Sequence, residues 1–302
     1  MKPVYNKDPH SREEERVYLI KGEPYPSATQ ILSMVSSDYL FAHVHAIKQE
    51  VQCLSALAEH NEPYRAWSHT GAKWVNVPIP AEQLLRDGEF ISNAGLRFSN
   101  QAANRGTVLH ELIRYYRDGA RPGSAEELDA ITMDTVVSLK SECPFEVVAP
   151  YSHQLFRLLY ALTPEIYFSE YPGYSETGKY AGTPDGFALF PTILQEPLWL
   201  DIKSMATPTF VRSHYAQVAA YANMDYFIPT GPPPSPIFSM PKRPDGTAFG
   251  GIILYVSPNS CGYRLCDTSI EGQYYRLFES CNATYKLYRA TTPPPGKITW
   301  IK

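Results

Sequence analysis

The chain lacks the features that announce several common environments. No run of about eighteen apolar residues exists to span a bilayer. The opening residues, MKPVYNKDPHSREEERVYLI, are charged where a secretory leader would carry an apolar core. These absences give an expectation of a soluble, cytoplasmic protein with no membrane partner. Cysteine is sparse: the five residues Cys53, Cys143, Cys261, Cys266 and Cys281 form no Cys-x-x-Cys pair and are odd in number, which argues against a disulfide framework. Cys53 with the three late cysteines is too loosely spaced for an iron–sulfur set, so buried free thiols and no such cluster are expected. An excess of positive charge is also missing. With 27 basic and 31 acidic residues the formal charge is −4, so any anionic partner must be met by a local patch rather than by a bulk field. Walker loops, dinucleotide glycine patterns, Gly-x-Ser-x-Gly elbows and internal repeats are all absent.

What is present is enough apolar material, 44% of 302 residues, to bury a sizeable core as one large domain, alone or with a lobe. Residues 5–26 read as a short strand and turn. The run 27–60 reads as one or two helices and 81–118 as helical, with Val108, Leu109, Leu112, Ile113 and Tyr116 on one face and Gly119 as a stop. A charged helix and a short one at 151–162 follow. After Pro164 come three short aromatic and β-branched runs, EIYFSEYPGYS, KYAGTPDGFALF and PLWLDIKS, which predict three sequential strands. Residues 209–227 read as a helix, 229–246 as a proline-rich loop, GGIILYVSP and GYRLCDTS as a closing strand pair, and 271–289 as the terminal helix. Helices, strands, helix, strands and helix in that order predict an α/β domain with an N-terminal helical lobe.

The charges in the strand region pose the chemical question. Side chains alternate along a strand, so Asp201 and Lys203 share one face while Leu198, Leu200 and Ile202 fill the other. Asp185 follows a Gly-Thr-Pro turn at the start of a predicted hairpin with 198–204, a topology that brings it opposite Asp201. Converging carboxylates need a counter-charge, and their oxygens suit a hard divalent cation such as magnesium or manganese. Such a cation with an adjacent lysine meets the requirements of phosphodiester hydrolysis. The plain alternative is an edge strand whose wet face carries Asp201 and Lys203.

At this point the sequence resembles the PD-(D/E)XK nuclease superfamily, specifically its RecB-like exonucleases. The resemblance lies in four elements in family order: Gly106-Thr-Val-Leu-His110, Gly182-Thr-Pro-Asp185, Asp201-Ile-Lys203 and Gln217-Val-Ala-Ala-Tyr221. Pro26-Ser-Ala-Thr-Gln-Ile-Leu also looks like the opening segment of phage members. The resemblance implies a restriction-endonuclease-like core, a central mixed β-sheet flanked by helices. It implies that His110, Asp185, Asp201 and the backbone carbonyl of Ile202 hold Mg2+ or Mn2+, that Asp185, Asp201 and Lys203 are catalytic, and that the Gln217 and Tyr221 helix contacts nucleic acid and supports the lysine. Glu170 matches an acidic position of these nucleases, with Glu165 as its competitor. Arg105, Arg114, Arg117 and Arg212 are candidates for the phosphate-binding patch, each with the alternative of simple solvation.

The expected organisation is an N-terminal helical lobe over 1–104, whose 27–100 helices are candidates for an arch over DNA, a nuclease core over 105–290 and a tail over 291–302. The expected activity is a metal-dependent DNA exonuclease of phage type, acting in replication, recombination or repair. Its partners would be single-stranded DNA or duplex ends, with a single-strand-annealing or single-strand-binding protein as a further one. A structure- or sequence-specific endonuclease on the same core, and a non-catalytic nucleic-acid-binding recombination protein, remain the alternatives. His43 and His45 diverge by about 200° on a helix and so make a poor shared site, while His60, His69 and His214 show no partner in the sequence.

Overall fold

The structure is a computed structural model that describes residues 4–7, 14–33, 64–68, 73–77, 101–205, 211–229 and 236–291. Two compact units divide the chain: residues 1–36 with 105–302, and residues 37–104. Residues 1–36 therefore belong with the larger unit, where the sequence reading grouped them with the lobe. In the smaller unit the described elements are β4 (Tyr64–Ser68) and β5 (Lys73–Val77), an antiparallel hairpin that pairs Trp67 with Trp74. Local sequence signals this hairpin only weakly, through Gly71 between two short runs rich in aromatic and β-branched residues. The helices expected over 34–60 and 81–100, His43, His45, His60, His69, Cys53 and residues 292–302 lie outside the described residues.

The larger unit is built on a five-stranded mixed sheet in the order β14 (Cys261–Cys266), β13 (Gly251–Val256), β10 (Pro197–Ser204), β9 (Gly186–Leu189), β6 (Glu165–Phe168). β10 and β13 are parallel; every other pair is antiparallel. A parallel pair needs a crossover, and α5 (Arg212–Ala222) lies within it. One face of the sheet, through Leu198, Leu200, Ile202, Ile252 and Leu254, packs on Leu109, Leu112, Leu155 and Leu159. Those residues come from α2 (101–117) and α4 (Phe145–Leu162); α3 (Ala125–Ser138) packs on α4. The other face, through Phe187, Trp199, Ile253 and Tyr255, packs against α1 (Ala28–Ser33), α5 and α6 (Gln273–Thr291). This is an α/β fold with a mixed sheet flanked by helices. β10 is a central strand, so the edge-strand alternative for Asp201 and Lys203 does not hold.

Three expectations are corrected by packing. The first two predicted runs after Pro164 each split in two, and their other halves, β7 (Gly173–Ser175) and β8 (Tyr180–Gly182), join β11 (Tyr226–Phe227) and β12 (Phe238–Ser239) in a second sheet ordered β12-β11-β7-β8. Residues 226–227 and 238–239, read as helix and loop, are thus strands held by cross-strand partners distant in sequence. The helix expected at 151 begins at Phe145 and carries Pro150 inside it; buried Val148 and Tyr151 anchor that first part despite the lost hydrogen bond. The N-terminal residues form a third sheet, β1 (Val4–Lys7), β2 (Glu14–Ile20) and β3 (Glu23–Pro26), and β3 leads directly into α1. Among the described residues no helix is long and apolar enough to cross a membrane.

Candidate functional site

β9 stops pairing with β10 at the Gly186–Leu200 position. The next ladder place on β10 is taken by a side chain: Asp185 Oδ2 accepts the N–H of Ile202 at 2.6 Å. A strand residue sends its N–H and C=O to the same side, so the Ile202 carbonyl also faces the Asp185 turn. Asp201 and Lys203 lie on the opposite edge parity but on one face of β10, the face covered by α5. Asp201 is fully buried and Lys203 Nζ donates to its Oδ1 at 2.9 Å. The other carboxylate oxygen of Asp201, Oδ2, is buried without a hydrogen-bond partner.

His110 comes from α2. Its Nε2 is 3.3 Å from Asp185 Oδ2 and its Nδ1 is 3.1 Å from Glu170 Oε1. Glu170 sits two residues beyond β6 with φ +57, the left-handed conformation that Lys21, Lys140, Thr163 and Lys179 also adopt. His110, Glu170 and Asp185 each offer a ligand atom within 4.8 Å of the others. Glu165, the competing glutamate, is exposed at the start of β6 and outside this cluster.

α5 supplies the third side. Gln217 and Tyr221, four apart, share a face. Lys203 Nζ donates to Gln217 Oε1 at 3.1 Å, and Gln217 Nε2 donates to Tyr221 OH at 2.7 Å. Because an ammonium can only donate, this contact determines which way the amide points. His214, one turn earlier on α5, is influenced by Lys203: burial and that charge lower its pKa to about 3, so its ring is neutral. Its Nδ1 is buried without a hydrogen-bond partner, and its ring centroid lies 6.1 Å from that of Tyr255.

The electrostatics follow from burial. Desolvation lowers the His110 pKa, but the Asp185 and Glu170 carboxylates outweigh it and push the value up to about 9. Burial raises both Asp185 and Asp201, the latter to about 6, against the pull of His110 and Lys203. Burial also disfavours the Lys203 ammonium, yet Asp201 and Asp185 raise its pKa above the ordinary value. Asp201 lies outside the three-residue cluster, and its Oδ2 is left buried without a hydrogen-bond partner. The nitrogen of His110 and the carboxylate oxygens of Glu170 and Asp185 are donors of a kind that can hold a metal ion.

The arginines divide. Arg105 is buried, stacks over Tyr151 at 4.2 Å and donates to the Ser204 carbonyl at 3.4 Å, so it supports the end of β10 from inside. Its guanidinium is engaged there rather than offered to a phosphate. Arg114 is half exposed and pairs with Glu111. Arg117 donates to Ser169 Oγ at 3.0 Å, beside Glu170, and pairs with Asp118. Arg212 is exposed at the start of α5.

No protein-family model matches the chain, and no curated protein matches it. Among solved structures, one described as "Crystal structure of SSO0001" is similar at 14% identity with a TM-score of 0.27, covering 63% of this chain and 82% of that chain. A likeness of that size carries no statement about activity.

Proposed function

We propose that the protein is a metal-dependent nuclease with a PD-(D/E)XK core that hydrolyses phosphodiester bonds of DNA at ends or in single strands. The observation that carries this reading is the convergence of His110, Glu170 and Asp185 within 4.8 Å, tied through Ile202 to the strand that bears Asp201 and Lys203. His110, Glu170, Asp185, Asp201 and the Ile202 carbonyl are the groups that would hold the cation. When bound, a divalent ion would supply Lewis acidity toward a phosphate oxygen and lower the pKa of water.

The residues divide the remaining work by chemistry. Lys203, kept charged by two carboxylates, donates hydrogen bonds to a water or to the phosphate where negative charge grows. Gln217 fixes where that ammonium points. Asp201, buried against Lys203, keeps the pair together, and its raised pKa makes its charge depend on the counter-charge beside it. Water gives up a proton and attacks phosphorus, the P–O bond to the 3′ oxygen breaks, that oxygen takes up a proton and leaves as a 3′-hydroxyl, and the other product carries a 5′ phosphate.

The test is cleavage of end-labelled single-stranded and duplex DNA beside a closed circular control, in magnesium, manganese or chelator, for wild type and Lys203→Ala. Metal-dependent loss of linear strands that spares circles and slows by at least about 100-fold in the variant is the expected result. Nicked circles would convert the reading to an endonuclease. DNA binding with no cleavage under any condition would overturn it in favour of a non-catalytic binding protein.

A further inference from the structure

The N-terminal hairpin and α1 contribute no residue to the His110, Glu170 and Asp185 cluster, yet they touch both halves of the site. Ser27, between β3 and α1, accepts the N–H of Gln30 on its Oγ at 3.0 Å, and its backbone forms a parallel bridge to Ala181 of β8. That bridge seats α1 one residue before the Gly182-Thr183-Pro184-Asp185 turn. From β2, Tyr18, fully buried, places its hydroxyl 3.0 Å from Thr183 Oγ1. From α1, Thr29 Oγ1 lies 3.4 Å from Gln217 Nε2.

These two contacts fall at different points of one network. Thr183 is two residues from Asp185, so the Tyr18 hydroxyl anchors the turn that delivers the carboxylate. Gln217 must turn its oxygen to Lys203, which leaves its amide hydrogens facing Tyr221 and Thr29; the Thr29 oxygen is the second acceptor on that side. With both acceptors present, an amide flip would lose the Lys203 contact and set the amide oxygen where two hydrogen-bond acceptors now receive its N–H groups.

We propose that Tyr18 and Thr29 are positioning residues of the active site: Tyr18 sets the Asp185 turn through Thr183, and Thr29 holds the Gln217 amide that orients the Lys203 ammonium. Neither touches a reacting atom. The inference rests on the nuclease reading above and extends the machinery to residues before the four motifs.

The experiment compares full-length wild type, Tyr18→Phe, Thr29→Val, Thr29→Ser, Gln217→Leu and the Gln217→Leu, Thr29→Val double variant. Thermal unfolding is measured for all of them, kcat and KM for cleavage, and the Gln217 side-chain amide resonances in chelator. Expected for Thr29→Val and Tyr18→Phe is a native fold, unchanged KM and kcat lower by about tenfold, the scale of one lost aligning hydrogen bond. Thr29→Ser should restore kcat and the wild-type Gln217 resonances. Thr29→Val should add no loss once Gln217 is leucine, since both changes act on one contact. Wild-type kcat in Thr29→Val and Tyr18→Phe, losses additive with Gln217→Leu, or a Thr29→Ser variant as impaired as Thr29→Val would overturn the proposal. A wild-type chain that cleaves no DNA overturns the nuclease reading instead. The Gln217 resonances then decide the Thr29 link on their own: a shift in Thr29→Val reversed in Thr29→Ser sustains it, and no shift ends it.

Discussion

Asp185 completes the hydrogen-bond ladder of β10 with its side chain, accepting the Ile202 N–H at 2.6 Å where β9 no longer pairs. A buried carboxylate thus does the work of a backbone carbonyl and faces His110 with the same oxygen. Structure and charge are separable here. Asp185→Asn keeps an acceptor oxygen for Ile202 and is expected to fold, while Mn2+ affinity falls by at least about tenfold and cleavage is lost. Asp185→Ala also orphans the Ile202 N–H, which costs about 1–3 kcal/mol of stability. Manganese titration and denaturant unfolding of the two variants check the distinction; equal Mn2+ affinity in Asp185→Asn and wild type would remove Asp185 from the ligand set.

Lys203 forms an ion pair with Asp201 at 2.9 Å. Lys203→Ala is expected to fold and bind cation yet cleave about 100- to 1,000-fold more slowly, the cost of one removed charge-stabilising donor. Deleting the ammonium also pushes the Asp201 pKa further up, so the variant's cation affinity should require higher pH than that of wild type. A cleavage rate equal to wild type would show that Lys203 is structural.

The pH dependence of the metal-free protein has a definite sign. His110 holds its proton more tightly when folded, so its contribution is full below the unfolded value of about 6.5 and is lost as pH rises through about 9. Its side chain is 30% exposed, which reduces the size of the effect through solvent screening. Asp201 acts in the same direction: favourable below the unfolded value of about 3.8, lost as pH rises through about 6. Thermal midpoints in chelator should therefore fall from pH 5 to pH 10, and His110→Gln should flatten the upper part of that profile. Cation affinity should rise over the same range, since ligands must release protons to bind.

Gly182 and Gly106 differ in what surrounds them. A Cβ on Gly182 would overlap the Tyr221 ring and crowd Met224, so Gly182→Ala is expected to cost about 1–3 kcal/mol and to disturb the Tyr221 to Gln217 contact. Gly106 has open space around it, and as a helical position its change to alanine should stabilise by up to about 1 kcal/mol. Unfolding free energies check both. If Gly106→Ala is stable but cleaves poorly, the glycine serves close approach of the substrate.

Alternation along PLWLDIKS is enough to put Asp201 and Lys203 on one face and three aliphatics on the other, because a strand has period two whatever its neighbours. The i, i+4 spacing likewise joins Gln217 to Tyr221. Local rules of this kind made the α/β class, the helix of His110 and the closing strand pair legible. They did not reveal that β7, β8, β11 and β12 form a separate sheet, since two- and three-residue strands owe their existence to distant partners. Nor did they decide between Glu165 and Glu170, which differ by one bulge and a left-handed residue rather than by composition.

The sequence by itself determined which side chains are available and how each faces within its own element, because those properties depend only on covalent geometry and period. Only the tertiary structure decided what meets what. Asp185 and Ile202 are joined across a strand end, Arg105 is turned inward under Tyr151, and Tyr18 and Thr29 reach Thr183 and Gln217 from more than 150 residues away. Such contacts arise from burying two sheet faces at once, a requirement of the whole chain that no local stretch encodes.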